Sequence, residues 1–212
     1  MVKYGSPNLT KVVKHIIAEI QPRIAVQKTP FLVALDGGSG SGKSTIATML
    51  SSELNAALVQ SDDFFAANIP DHEWDERTAA EKVRDCIDWQ RLRKEALEPL
   101  LSRQTARWHP FDFEAGIQAD GTYKMSIDYE ERDPKDMIIL DGAYATRPEL
   151  IDLIDLSILI DVPVSVRHAR LALREDAAFL KLWHQRWDAA EHYYFAQIRP
   201  ANSFDVVIDN GE

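Results

Sequence analysis

An apolar run, FLVALD over Phe31–Asp36, stops at eight residues that read Gly37-Gly38-Ser39-Gly40-Ser41-Gly42-Lys43-Ser44. No other stretch constrains the chain as much. It fits the spacing G-x-x-x-x-G-K-[ST] in full. It stands between an expected buried strand and an expected helix on which Ile46, Met49, Leu50 and Leu54 share a face. Glycines permit backbone conformations and close approaches that a Cβ forbids. The backbone N–H groups of Gly38, Ser39, Gly40, Ser41, Gly42, Lys43, Ser44 and Thr45 are then expected to converge as an anion nest. The positive end of the following helix reinforces it. The Lys43 ammonium can reach the β- and γ-phosphates of a nucleoside triphosphate, and the Ser44 hydroxyl can ligate Mg²⁺.

The rest of the chain alternates strand and helix patterns. Short apolar runs at 57–61, 137–141, 156–162 and 204–209 read as further strands. Helical patterns occupy 9–20, 43–54, 89–102, 147–154, 163–176 and about 177–198, with Asp88 as N-cap of the third and proline in the first turn of the fifth. This order implies an α/β fold with a parallel sheet covered by helices on both faces. Residues 103–134 differ, being rich in aromatics, Gly and Asp. Their alternating stretch at 122–129 predicts a small β-hairpin insertion. The chain reads as one domain of residues 1–212. Its N-terminal helix lies within 1–28, the insertion spans about 103–134 and a lid about 163–190.

Carboxylates stand where such a sheet presents its ligand crevice, just past strand ends. Ser61-Asp62-Asp63-Phe64-Phe65 follows the second strand. Asp62 is the candidate to take a proton from an attacking hydroxyl or to hold Mg²⁺ through water; Asp63 is open between that role and a loop role. Asp141 ends MIILD in the Walker-B arrangement, which places a carboxylate near the metal. The candidate metal set is therefore Ser44, Asp62 and Asp141. Asp36, directly before the glycine-rich turn, reads as structural. Arg167, Arg170 and Arg174 share a helical face and Arg186 follows. Guanidinium groups closing over a moving phosphoryl group stabilise its charge, with Arg170 and Arg174 the favoured pair.

Composition excludes several classes. The 212 residues carry a formal net charge of -10, which opposes general nucleic-acid binding. No apolar run reaches the roughly 18 residues of a membrane span, and residues 9–20 form an amphipathic pattern rather than a leader. A cytoplasmic protein with no nucleic-acid or membrane partner is expected, with a homo-oligomer left open. Cys86 is the single cysteine, so no intramolecular disulfide exists and an apolar filler is the expected role. The five tryptophans read as core or lid packing, with Trp108 and His109 the exceptions to test. Tyr144 is open between pocket and core. His184 and His192 lack the spacing of a zinc site and read as surface helix residues.

Taken together, GGSGSGKST (37–45), SDDFF (61–65), DWQRLRKEALEPL (88–100), HPFDF (109–113), ILDGAY (139–144) and DLSILIDVPVSVRHARLALRED (155–176) are similar to the uridine kinase-like branch of P-loop kinases. The resemblance covers about residues 30–210. It implies a P-loop fold with five parallel strands, a hairpin and a helical lid. It also implies ATP- and Mg²⁺-dependent phosphorylation of a hydroxyl on a small molecule. The family's catalytic acid maps onto Asp62, its lid arginines onto Arg170 and Arg174, and its acceptor-site tyrosine onto Phe111. Lys43 joins Asp62 and those arginines as the catalytic set. Asp85, His109, Phe111 and Tyr144 are the expected acceptor contacts. The chain departs from uridine kinases at Glu114-Ala115-Gly116, where they carry a base-holding histidine. It departs again at Arg84–Asp88, where they carry an Asp-His-Pro step. Another nucleoside, a sugar or a different hydroxylated metabolite therefore fits as acceptor. Two other readings share the phosphate cradle: an ATP-driven regulatory switch and a toxin-type kinase acting on a nucleotide sugar. The chain has no Asn-Lys-x-Asp segment for guanine.

Overall fold

The computed structural model describes residues 7–26 and 30–211. Expectations that touch residues 1–6, 27–29 and 212 lie outside them. Five strands form one parallel sheet: β1 (Phe31–Asp36), β2 (Ala57–Gln60), β5 (Met137–Asp141), β6 (Leu156–Asp161) and β7 (Val206–Asp209), in the order β2-β5-β1-β6-β7. The central β1 is buried along its whole length. Its residues alternate between the two faces, as the pleat requires. Phe31, Val33 and Leu35 join Ile139 and Ile158 on one face, under helices α1 (Pro7–Ile24) and α2 (Lys43–Leu54). Leu32 and Ala34 join Val59, Ile138 and Leu140 on the other, under Leu92, Trp74, Trp187 and Tyr194. Burial on both faces explains why the strands read as unbroken apolar runs.

That second face is covered by segments the sequence patterns only partly announced. Two short helices, α3 (Glu73–Glu76) and α4 (Ala79–Asp85), precede the Asp88-capped α5 (Trp89–Arg91). Thr78 and Glu81 close a capping box on α4. The Asp88 carboxylate accepts the Arg91 N–H at 3.0 Å, so the expected N-cap is there. Beyond α5 the helix widens to π over Leu92–Leu97 and ends as α6 (Glu98–Leu101), where Pro99 has no N–H to donate. Two helices close the molecule after β6, namely α7 (Val164–Ala172) and α8 (Ala177–Tyr193). The latter runs on through a π segment, Tyr194–Ile198.

Two expectations are corrected. The helix expected at 147–154 is a series of turns. Arg147, almost fully buried, donates to the Val83 carbonyl and stacks over Trp89 instead. The insertion is a two-stranded antiparallel ribbon, but its strands are β3 (Ala106–Trp108) and β4 (Glu130–Arg132). The alternating stretch at 122–129 is irregular except for one bridge between Met125 and Phe111. Alternation predicts a strand only where a partner edge is offered, and there the aromatic side chains pack on each other instead. Among the described residues no helix is long and apolar enough to cross a membrane.

Candidate active site

The sheet order brings the ends of β2, β5 and β1 side by side, and the three expected phosphate-site segments follow from those ends. The turn 37–42 leads into α2, whose first residue is Lys43. Gly40 sits at φ 82°, and a Cβ there would stand 2.6 Å from the Arg167 carbonyl oxygen, so only glycine fits. Lys43 is buried, while Ser44 and Thr45 are exposed at the start of α2.

Asp141 is 3% exposed, and its Oδ1 has no hydrogen-bond partner. Burial pushes its carboxyl up to about 6, against the opposing pull of the Lys43 charge and a hydrogen bond with Ser44. A buried carboxylate oxygen left without a donor, beside a serine hydroxyl and an ammonium, is the chemistry of a cation site. The residues present therefore fit Mg²⁺. Asp141 is kept close to the β2 end because Gly142 lies against Ser61. A Cβ on Gly142 would come within 1.6 Å of the Ser61 Oγ.

Asp62 lies in a 3₁₀ turn, Ser61–Phe64, that carries the chain off β2. Its side chain is exposed, and it is near enough to Asp141 to oppose that group's ionisation. Asp63, left open above, is occupied: its Oδ2 accepts the Trp108 Nε1–H at 2.9 Å, and burial raises its carboxyl above the usual range. One carboxylate of the pair faces solvent and the other ties the insertion to β2.

Asp36 behaves as a hub. Its Oδ1 accepts the N–H groups of Gly37 and Tyr144, at 2.8 and 2.9 Å. Its Oδ2 accepts the Thr146 N–H and hydroxyl, at 3.0 and 2.7 Å, and the Tyr194 hydroxyl at 2.8 Å. Those five bonds tie the phosphate loop, the segment after Asp141 and the C-terminal helix together.

The arginines divide. Arg170 donates to the Asn210 carbonyl at 2.7 Å and reaches the Ser41 carbonyl at 3.4 Å, on the rim of the loop. Arg174 is exposed and pairs with Glu175. Arg186 is held in a fork by Asp71 and Asp75, which joins α8 to the α3 segment. Arg167 donates to the Ser39 carbonyl and to Glu191, both through its Nη1.

Glu191 and Asn210 are the site residues that sequence reasoning missed. The Glu191 carboxylate, 5% exposed, accepts the Ser39 N–H at 2.7 Å, so that loop amide is already engaged. Asn210 donates from its side chain to the Ser41 carbonyl at 2.8 Å. A signal for Glu191 exists: it falls on the stripe Leu180, Trp183, Trp187, Tyr194, where a charge is out of place. Asn210 carries no such mark.

The expected acceptor contacts are scattered. Phe111 packs against Phe65, Phe113 and Tyr123. His109 lines a cavity of about 640 Å³ with Phe65, Asp88, Arg91 and Tyr129, which neither Asp62 nor Asp141 reaches. Asp85 is gripped by Arg84 and Arg77, and the Arg84 hydrogen bonds hold its carboxyl below the usual range. Tyr144 sits at φ 66° with its ring buried against Tyr194. Cys86 is a buried filler, its thiol pushed up to about 12 by burial.

No family model matches the chain. It is 28% identical over 149 residues to a uridine kinase of Halobacterium salinarum, covering 68% of this chain and 62% of that enzyme's length. It is 29% identical over 155 residues to a uridine kinase of Clostridium botulinum, covering 70% of each. Among solved structures it is similar to a possible uridine kinase from Bacillus stearothermophilus, with a TM-score of 0.66 at 20% identity over 90% of this chain and 100% of that one. It is also similar to a D-glycerate 3-kinase from Cryptococcus neoformans, with a TM-score of 0.63 at 12% identity over 97% and 96%. The chain is similar in sequence to uridine kinases and has the fold of P-loop kinases.

Proposed function

We propose that this uridine kinase-like chain is a phosphotransferase that moves the γ-phosphoryl group of ATP to a hydroxyl group of a small molecule. One observation carries the reading. The buried Asp141, with its Oδ1 unpaired, and the exposed Asp62 stand at adjacent strand ends beside a complete phosphate loop. Lys43 and the loop amides of Gly40–Thr45 would hold the phosphates, and Ser44 and Asp141 would hold Mg²⁺. When bound, the metal neutralises charge on the phosphate oxygens. Asp62 accepts the proton of the attacking hydroxyl, because its carboxylate is exposed at the crevice and free of the contact that occupies Asp63. Arg170 is already at the loop rim. Arg174 would have to swing in from solvent, so a lid movement within about 163–190 falls around Arg174, between the anchored Arg170 and Arg186.

Of the acceptor contacts, Phe111 belongs to an aromatic wall with Phe65 and Tyr123 that is suited to a planar or apolar face. Asp85 would have to leave its arginines, and Tyr144 its core position, to touch an acceptor. The chain's charge of -10 supports a small-molecule rather than a nucleic-acid substrate. The test is a coupled ADP-release screen of nucleosides, sugars and other hydroxylated metabolites, with and without Mg²⁺. One acceptor should give Mg²⁺-dependent turnover. Asp62→Asn should lower that turnover at least ~100-fold, with an unchanged circular dichroism spectrum. Full activity in Asp62→Asn removes its role as base.

A further inference from the structure

Away from the phosphate loop, α7 and α8 bring three metal-ligating side chains together. His184 and Asp188 are four residues apart on α8 and so share a face. His168 projects toward them from α7. The His184 Nδ1 lies 3.0 Å from the Asp188 Oδ1, and the His168 Nε2 lies 3.4 Å from the Asp188 Oδ2. The two imidazole rings are 3.9 Å apart, centre to centre. One donor atom from each residue lies within 4.8 Å of the other two. Among the described residues this is the one group of three His, Cys, Asp or Glu side chains so arranged.

We propose that His168, His184 and Asp188 form a site for a divalent transition-metal ion of the zinc type, bridging α7 to α8. Bonds of about 2.0–2.2 Å to imidazole nitrogen and carboxylate oxygen set neighbouring donors roughly 3.3 Å apart in a tetrahedral shell. Each imidazole nitrogen is already near that distance from one Asp188 oxygen, His184 from Oδ1 and His168 from Oδ2. The three donors, all within 4.8 Å of one another, would draw in by side-chain rotation to close on one ion. Three protein donors leave a fourth position for water. The three side chains are half-buried, open enough for an ion to enter yet partly shielded. Two imidazoles favour a borderline cation over Mg²⁺, which takes oxygen donors. The site is thereby chemically separate from the one at Ser44 and Asp141.

The position gives the site a consequence. His168 follows Arg167, and Asp188 stands one turn before Glu191. Arg167 and Glu191 are the pair that holds both the carbonyl and the N–H of Ser39. An ion joining α7 to α8 would brace that pair from behind. Sequence spacing hides the site, because His168 is sixteen residues from His184 and only the turn before α8 folds it back.

The test is zinc uptake by the tag-free protein in millimolar Mg²⁺, measured by competition with a chromophoric chelator, together with the visible spectrum of the Co²⁺ form. One ion per chain should bind at micromolar Kd or tighter, and Zn²⁺ should raise the melting temperature. His168→Gln, His184→Gln and Asp188→Asn should each weaken uptake at least tenfold while keeping the far-ultraviolet dichroism of the parent. No uptake by the parent overturns the proposal. Uptake unchanged in His184→Gln and Asp188→Asn overturns it too, by assigning the ion to other groups. Turnover enters neither readout, so a failed kinase assignment leaves the result interpretable.

Discussion

Asp36 and Asp141 end neighbouring strands, yet one is fully partnered and the other keeps a buried oxygen without a donor. Asp36 accepts five hydrogen bonds in the core. An asparagine there would turn an NH₂ toward groups that themselves donate. Asp36→Asn should cost on the order of 3 kcal/mol, read as a lower denaturation midpoint with unchanged slope. Asp141 lacks such a set of donors, and its folded carboxyl is raised by burial from 3.8 to about 6. Between those values the folded state binds the extra proton, so stability without ligand falls as pH rises through the window from about 4 to 6. Above it the ionised group costs roughly 3 kcal/mol. Asp141→Asn should therefore raise the melting temperature of the ligand-free protein at pH 7 by several degrees. It should also abolish Mg²⁺-dependent nucleotide binding by calorimetry. A lower melting temperature would mean that the carboxylate is needed by the fold itself.

At the scale of elements, the meeting of α7 and α8 with the phosphate loop governs how the loop tip is held. Glu191 and Arg167 shield each other and clamp Ser39 from both sides. Glu191→Gln retains an acceptor for the Ser39 N–H but removes the charge that Arg167 needs. Nucleotide affinity should fall about tenfold with little change in secondary structure, and amide hydrogen exchange at residues 38–40 should accelerate. Unaltered exchange there would show that the loop holds its shape without the clamp. The elements themselves were legible to different degrees. The strand, loop and helix over 31–54 read directly, because each part obeys a local rule of periodicity or turn chemistry. The turns at 147–153 did not, because Arg147 leaves the surface to cap a carbonyl of α4. The helices α3 and α4 were passed over because each is shorter than the span needed for a periodicity to register.

For the whole molecule, the sheet order is what assembles the site. β5 lies between β2 and β1, so Asp62, Asp141 and Lys43 come from chain positions far apart yet from adjacent strand ends. A ligand seated across that edge binds the folded state alone. ATP with Mg²⁺ at 100 times its Kd should stabilise by about 2.7 kcal/mol, a shift of roughly 5–10 °C for a chain of this size. ATP with a chelator should shift the midpoint much less. Equal shifts with and without Mg²⁺ would deny Ser44 and Asp141 their metal.

From the order of residues alone came the phosphate loop, the buried parallel strands and the carboxylates at their ends. Each depends on neighbours within a few positions, so periodicity and backbone freedom suffice to announce it. Only the tertiary structure tied Asp63 to Trp108, turned Arg167 and Glu191 into a clamp and brought His168 to His184. Those outcomes depend on which distant surface buries a given side chain, and burial is a property of the assembled core rather than of local sequence.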